Sequence, residues 1–350
     1  MTPRRPTLVV VGATGAVGTV LLSLLSERAD VWGEIRLVAS RRSVGKRLSV
    51  RGELLEVQPL TADVFDGVDV AMFDVPDDVS ALWAPVAAAR GVVVVDNSGA
   101  FRMEPDVPLV VPEVNPEAIR VRPRNIIANP NCTTLSMIVA LAALHREYGL
   151  EAVVAASYQA ASGAGQAGID TLHDQLEKVA GARDLGSRAG DIRQVVGDLG
   201  PFPAPLVLNV VPWAGSLKDD GWSSEEMKVR NESRKILGLP ALRVAATCVR
   251  VPVVTTHSVA VHATFATPVE QLRAQEVLRD APGVLLVDDP AAAEFPTPID
   301  VVGTDPTWVG RVRRSLDDPR SLDLFVCGDN LRKGAALNTA QVAELVAAEL

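Results

Sequence analysis

Thr7-Leu8-Val9-Val10-Val11 runs directly into Gly12-Ala13-Thr14-Gly15-Ala16-Val17-Gly18, and Ala16 to Arg28 then carries Val17, Val20, Leu21, Leu24 and Leu25 along one helical face. A continuous β-branched run is what a strand buried on both faces of a parallel sheet requires. Small residues at the turn let the helix pack closely on the strand and leave the first helical N–H groups open to an anion. The spacing is GxxGxxG and not GxGxxG, so the segment reads either as a seat for a dinucleotide pyrophosphate or as a tight strand-to-helix turn. A second strand, Ile35 to Ala39, follows at the distance of a βαβ unit.

An acid usually closes that second strand when NAD is bound, to meet the ribose hydroxyls. Here the chain has Ser40-Arg41-Arg42-Ser43-Val44-Gly45-Lys46, hydroxyls and cations suited to the 2′-phosphate of NADP, although a solvated basic loop would look the same. Further strands are expected at Val68 to Phe73, Val92 to Val95 and Ile126 to Ala128, which completes a doubly wound, Rossmann-type parallel sheet. Beyond about residue 150 the texture changes to longer strands, Ala152 to Tyr158, Leu206 to Val211, Val244 to Val254 and Ser258 to Phe265. This predicts a second, α+β domain on a mostly antiparallel sheet. Gly181 to Pro205 reads as a long connection or lid. Asn338 to Leu350 reads as a helix that packs back on the first domain. The expected division is 1–128 plus 330–350 for dinucleotide binding and 129–329 for catalysis and dimerisation.

A net charge of −9 argues against a nucleic-acid surface and points to small-molecule partners. Three cysteines, Cys132, Cys248 and Cys327, show no CxxC pair, and only His145, His173, His257 and His262 are present, so neither a disulfide framework nor a metal site is expected. The apolar run after Arg4 and Arg5 is too short for a signal segment and no stretch approaches a membrane span, which suggests a cytoplasmic protein.

Asn129-Pro130-Asn131-Cys132-Thr133-Thr134 places a cysteine in the first turn of a helix that continues from Leu135 to Tyr148 and stops at Gly149. Unpaired N–H groups and the helix dipole favour a thiolate there, whereas the plainer alternative is a buried core cysteine. His257, after the hydroxyl-rich Thr255-Thr256, is a candidate base far away in sequence. Ser157 to Gly165 joins a strand end to a small-residue loop. Glu225 and Lys228 share a helical face, and Arg102 leaves the C-terminal edge of the first sheet, where α/β proteins place ligands.

Taken in order, GATGAVG, ASRRSVGK, DNSGAFRM, NPNCTT, SYQAASGAG, EEMKVRNE, RVPVVTTHS and DNLRKGAALN make the chain resemble the aspartate-β-semialdehyde dehydrogenases over essentially its whole length. The resemblance implies NADPH-dependent reduction of L-aspartyl-4-phosphate to L-aspartate-4-semialdehyde and phosphate, a step toward lysine, threonine, methionine and isoleucine, by a homodimer or homotetramer. It implies Cys132 as nucleophile, Gln159 orienting the thiohemiacetal and His257 as acid/base. Arg102, Asn131 and Lys228 match phosphate-binding positions, Arg250 the α-carboxylate and Glu225 the α-ammonium. Gly12, Ala13, Thr14, Gly15, Ala16, Val17, Ser40, Arg41, Ser43, Ser162, Gly163 and Asn330 match cofactor contacts.

Two positions depart from the family pattern. Phe73-Asp74-Val75-Pro76-Asp77-Asp78 stands where a Ser-Ala-Gly loop is usual, putting an acid near the cofactor, and Thr256 stands where glycine commonly precedes the histidine. Within enzymes, N-acetyl-glutamyl-phosphate reductase shares the chemistry but has a different cysteine motif and no need of Glu225. A non-catalytic dinucleotide-binding paralogue or sensor would have no use for Cys132, Gln159, His257 and the arginines together.

Overall fold

The β-branched run forms β1 (Leu8–Val11), buried at every position, and the glycine turn delivers the chain into α1 (Ala16–Glu27). The computed structural model describes residues 4–28 and 31–350. β2 (Ile35–Ala39) lies parallel to β1, with Val11 opposite Val38. β3 (Arg47–Val50), β4 (Glu53–Pro59), β5 (Val70–Phe73), α2 (Asp77–Ala88), β6 (Val93–Asp96) and β7 (Ile126–Ala128) follow. The strand order is β3-β4-β2-β1-β5-β6-β7, parallel throughout except for the β3/β4 hairpin. That hairpin turns on Arg51 and Gly52, both at positive φ (53° and 80°), the two-residue turn that matches strand twist. Strand order reverses beside β1, which opens a ligand crevice at the C-terminal strand ends.

α3 (Cys132–Tyr148) begins at the cysteine itself and is buried around nearly its whole circumference, which explains why its sequence is apolar on all sides. It ends at Gly149, whose φ of 72° supplies the left-handed cap. Then come β8 (Leu150–Gln159), α4 (Gly165–Val179), α5 (Asp191–Val196), α6 (Ser224–Leu237), β9 (Arg243–Arg250) and β10 (His257–Phe265). α7 (Gln271–Asp280), β11 (Val284–Leu286), α8 (Pro298–Val301), β12 (Thr307–Arg314) and β13 (Ser321–Gly328) complete this part. The sheet order is β11-β12-β13-β10-β8-β9. It is mixed but mostly antiparallel, as expected: β12/β13, β13/β10 and β10/β8 are antiparallel pairs, and β8/β9 and β11/β12 are parallel.

Two strand expectations need correction. Leu206 to Val211 is irregular, with only Val211 bridging Arg250, because prolines at 203, 205 and 212 flank it and Leu208 sits at φ 53°. β9 stops at Arg250 and not at Val254, since Pro252 lacks an N–H and restricts Val251.

The last helix, α9 (Leu337–Ala347), contributes Leu337, Val342 and Val346 to one core with Leu8, Val10, Leu24, Leu37 and Met72. The chain divides into two compact units, residues 1–131, 235–239 and 332–350 in one and residues 132–234 and 240–331 in the other. Among the described residues no helix is long and apolar enough to cross a membrane.

Candidate active site

Of the cysteines, burial pushes the Cys248 thiol up to about 12 and the Cys327 thiol up to about 11, so neither ionises near neutrality. Cys132 is partly exposed at the first residue of α3. Its Sγ lies 3.2 Å from Nε2 of His257, the first residue of β10 and fully buried. Burial, with the positive charge of Arg250 adding to it, pushes His257 down to about 3, against a weaker opposing pull from Glu225. The imidazole is therefore neutral across the physiological range.

The turn that aims His257 is strained. Thr256 sits at φ 86°, a conformation a β-branched residue holds at a cost of about 1–3 kcal/mol and glycine would hold freely. Asn330 braces the turn: its Oδ1 accepts from Thr256 N at 2.8 Å and its Nδ2 donates to Ser162 Oγ at 2.9 Å. Gly163 is needed for close approach, since a Cβ there would lie 2.4 Å from Arg250 Nη1 and 3.1 Å from His257 Cε1.

Gln159, the last residue of β8, is buried. Its Nε2 donates to Thr133 Oγ1, while its Oε1 has no hydrogen-bond partner in the protein. A buried orphan carbonyl beside the helix that Cys132 opens is a group open to a partner from outside the protein. Arg250 Nη1 donates to Ala160 O at 2.6 Å. Glu225 and Lys228 pair with each other at 2.6 Å, so a substrate bound by either would have to share or displace the other. A cavity of about 450 Å³ is lined by Gly163, Phe202, Trp213, Glu225 and Arg250 among others. An acid and an arginine thus face one small chamber.

In the first unit, Gly12 stands at φ 98° with its missing Cβ only 1.9 Å from Asp74 O, and a Cβ on Gly18 would lie 2.3 Å from Gly12 O. α1 has Gly15 at its N-cap and no side-chain cap, so the amides of Ala16 and Val17 remain available to a diphosphate. These residues, with Ala13 and Thr14, fit a dinucleotide. Thr14 Oγ1 reaches Ser43 Oγ at 3.2 Å, joining the glycine loop to the short turn Arg41–Ser43, whose Ser40 and Arg41 are exposed. Arg102 is buried and donates through Nη2 to Asn97 O at 2.7 Å. Asn131, also buried, ends this unit one residue before Cys132.

Sequence reasoning missed the scaffold behind these residues. Lys333 Nζ, buried against Glu113 at 2.7 Å, donates to Asn338 Oδ1 at 2.9 Å. Asn338 Nδ2 donates to Asn129 Oδ1 at 2.6 Å, Asn129 Nδ2 to Asn97 Oδ1 at 2.7 Å, and Asn97 Nδ2 to Asp74 Oδ1 at 2.9 Å. Lysine can only donate, so every amide orientation along the chain is fixed by its cationic end. Burial raises the Asp74 pKa, with Asp96 adding to it, while Asn97 and the Gly18 amide oppose. Thr133 and Ala160 were likewise unforeseen. Lys333 and Asn338 lie in DNLRKGAALN, Asn97 in DNSGAFRM, Asn129 and Thr133 in NPNCTT and Ala160 in SYQAASGAG, so those motifs could have flagged them, whereas Glu113 lies in none.

A doubly wound sheet with a glycine loop leading into a helix N-terminus, and a second unit in which a cysteine and a neutral histidine stand beside an acid- and arginine-lined cavity, define an oxidoreductase that uses a nicotinamide dinucleotide. Residues 7–122 match the semialdehyde dehydrogenase NAD binding domain and residues 141–333 the semialdehyde dehydrogenase dimerisation domain. The aspartate-semialdehyde dehydrogenase of Streptomyces akiyoshiensis is 49% identical over 97% of this chain and 98% of that protein. That of Corynebacterium melassecola is 46% identical over 97% and 99%. The crystal structure of aspartate semialdehyde dehydrogenase II from Vibrio cholerae, complexed with ASA, superposes with a TM-score of 0.92 at 39% identity, covering 99% of each chain. The chain belongs to the aspartate-semialdehyde dehydrogenase family.

Proposed function

We propose that this protein reduces L-aspartyl-4-phosphate to L-aspartate-4-semialdehyde and phosphate with NADPH, through a thioester on Cys132, as a cytoplasmic step of lysine, threonine and methionine biosynthesis. The observation that carries the reading is the 3.2 Å contact between Cys132 Sγ and a neutral, buried His257 in a chain of this family. Cys132 attacks the acyl carbon, and Arg102, Asn131 and Lys228 bind the phosphate. Glu225 takes the α-ammonium and Arg250 the α-carboxylate, which gives a zwitterion two paired charges within one cavity. Gln159 orients the tetrahedral adduct. When bound, the dinucleotide supplies a hydride to the acyl carbon. Gly12 to Val17, Ser40, Arg41, Ser43, Ser162, Gly163 and Asn330 hold it, and Arg41 with its serine neighbours favours the 2′-phosphate of NADP. Residues 1–128 with 330–350 serve as the dinucleotide domain and 129–329 as the catalytic domain, which also joins subunits into a homodimer or tetramer.

The deciding assay is phosphate-dependent reduction of NADP by L-aspartate-4-semialdehyde, run beside NAD and beside N-acetyl-L-glutamate-5-semialdehyde. The zwitterion reading expects kcat/KM at least ~10³ higher for the first aldehyde, because acetylation would leave Glu225 without its ammonium. Comparable rates would overturn the substrate assignment. A preference for NAD would overturn the cofactor assignment alone.

A further inference from the structure

β9 is an edge strand, bonded along one side to β8 and without a strand along the other. Its outward amides at Cys248 and Arg250 are nevertheless taken. Arg250 exchanges both main-chain bonds with Val211, donating at 2.7 Å and accepting at 2.9 Å. The Cys248 N–H meets no strand and donates instead to Oε1 of Glu226, 3.1 Å away. Oε2 of the same carboxylate accepts from Ser223 N at 2.8 Å, and Ser223 Oγ accepts from Glu226 N at 3.3 Å, the reciprocal capping box of Ser-x-x-Glu at the start of α6. A carboxylate has two acceptor oxygens, and here one serves the helix start and the other the strand.

Three ties close a frame around the acid and the arginine that line the cavity. Val211 holds one end of the segment 211–216 to Arg250. At the other end Ser216 O accepts from Ser224 N at 2.7 Å and Ser216 N donates to Ser224 Oγ at 3.0 Å. Glu226 closes the third corner by joining α6 directly to β9. The helix corner has no slack, since a Cβ on Gly215 would stand 2.1 Å from Ser224 Oγ and 3.3 Å from Glu225 Cγ. Glu225 comes two residues after the cap and Arg250 two residues after Cys248. The reach of the Glu226 side chain therefore sets how far apart those two charges stand.

We propose that Glu226 is a positioning residue for substrate selection: its carboxylate fixes the span between Glu225 and Arg250, so that both charges of one small α-amino acid are met at once. This rests on the roles proposed above for Glu225 and Arg250. Glu226 acts through the frame, both of its oxygens being engaged by main-chain amides. A displacement of about 1 Å in a binding group can cost roughly 10² in rate, so loosening one corner should be felt by a substrate that needs both charges and much less by one that needs a single charge.

The test compares L-aspartate-4-semialdehyde with its des-amino analogue, succinate semialdehyde, in phosphate-dependent reduction of NADP by the full-length protein. The analogue lacks the ammonium and makes no demand on Glu225. Glu226→Gln keeps the length but offers one acceptor oxygen to two amides, so the ratio of kcat/KM for the two aldehydes should fall roughly tenfold, chiefly through KM for the amino aldehyde. Glu226→Ala removes both ties and should lower the ratio roughly 10²-fold. Ser223→Ala deletes the bond from Glu226 N and keeps both carboxylate contacts; it should lower Tm by about 2–4 °C and leave the ratio within about twofold. Equal losses on both aldehydes in the Glu226 variants would make the residue a support of the fold alone and overturn the proposal, as would a ratio that falls equally far in Ser223→Ala. Hydrogen exchange in the wild-type protein needs no variant to fold: the Cys248 amide should be as protected as the interior amides of β8, and exchange at the rate of an open strand edge would remove the tie. Glu225→Gln examines the underlying reading by itself. If it leaves the ratio unmoved, the ammonium role of Glu225 fails; if it lowers the ratio and Glu226→Gln does not, that role stands and the positioning role of Glu226 is lost.

Discussion

The protein uses one backbone device twice, in opposite electrostatic settings. Gly12 to Gly18 and Ala160 to Gly168 both carry a strand into a helix through a small-residue loop. In each, a Cβ on the glycine near the helix start would fall 2.3 Å from a loop carbonyl, Gly12 O for Gly18 and Ala161 O for Gly168. The first loop is packed backbone against backbone and has a carboxylate beside it, Asp74. The second is packed against polar side chains, with Arg250 and His257 where the Gly163 Cβ would be. A tight glycine loop is therefore not in itself a statement about charge or chemistry. Its neighbours decide whether it seats an anion or makes room for reacting groups.

The widest separation of the two regions is expected from Cys132→Ala. Turnover should fall roughly 10³-fold or more, while dinucleotide affinity measured by fluorescence stays within about twofold. A parallel loss of both would mean that the regions are not functionally distinct.

A matched pair of alanines sharpens the contrast. Gly163→Ala should lower kcat/KM by roughly 10² by displacing Arg250 and His257, with little change in Tm. Gly18→Ala meets a carbonyl that cannot swing aside, so it should cost about 1–3 kcal/mol of stability and weaken dinucleotide binding. If the two variants gave the same split between melting and kinetics, the comparison would fail.

Acid should drive the two regions apart. His257 is held below its unfolded value, so its contribution is fully present above about pH 6.5 and is lost as pH falls toward about 3, where the unfolded chain binds the proton and the folded chain does not. Asp74 and Asp96 are shifted upward by burial, so the folded chain binds their protons first and the strands around them gain stability as pH falls through the folded values. Hydrogen exchange between pH 7 and 5 should show protection falling in β8 and β10 relative to β1 and β5. Equal slopes would contradict the assignment.

The smallest effect concerns the acid beside the first loop. Asp74→Asn keeps an acceptor for Asn97 and removes a charge near an incoming diphosphate, so dinucleotide should bind roughly tenfold tighter, about 1.4 kcal/mol. Weaker binding would make Asp74 a ligand-holding group.

The first unit was legible because its determinants are local: a β-branched strand, a glycine turn and an amphipathic helix are contiguous, and their periodicity shows in one window. Cys132 was legible for the same reason, being placed by the helix start that follows Pro130. His257 gave no such local signal. The two residues stand 125 positions apart and meet because α3 packs against β10, and the family resemblance supplied the link that composition could not. Mixed strand direction in the second sheet and the failure of Leu206 to Val211 to extend were hidden because apolar runs do not record their partners. Least visible were groups that work through the main chain, such as the Ala160 amide, whose side chain carries no information about the bond its N–H makes.

The run of amides from Lys333 to Asp74 has a consequence for how this part of the protein tolerates change. An asparagine alone has two amide orientations of nearly equal shape, and three independent ones would give eight arrangements. With an ammonium at one end and a carboxylate at the other, reversing any one amide sets donor against donor and acceptor against acceptor at its neighbours, so a single arrangement survives. The segment is in effect written in one direction. Replacing an asparagine there by aspartate, the mildest change by size, removes the only group able to pass the message forward, and the glycine loop at the far end would register a substitution made several side chains away.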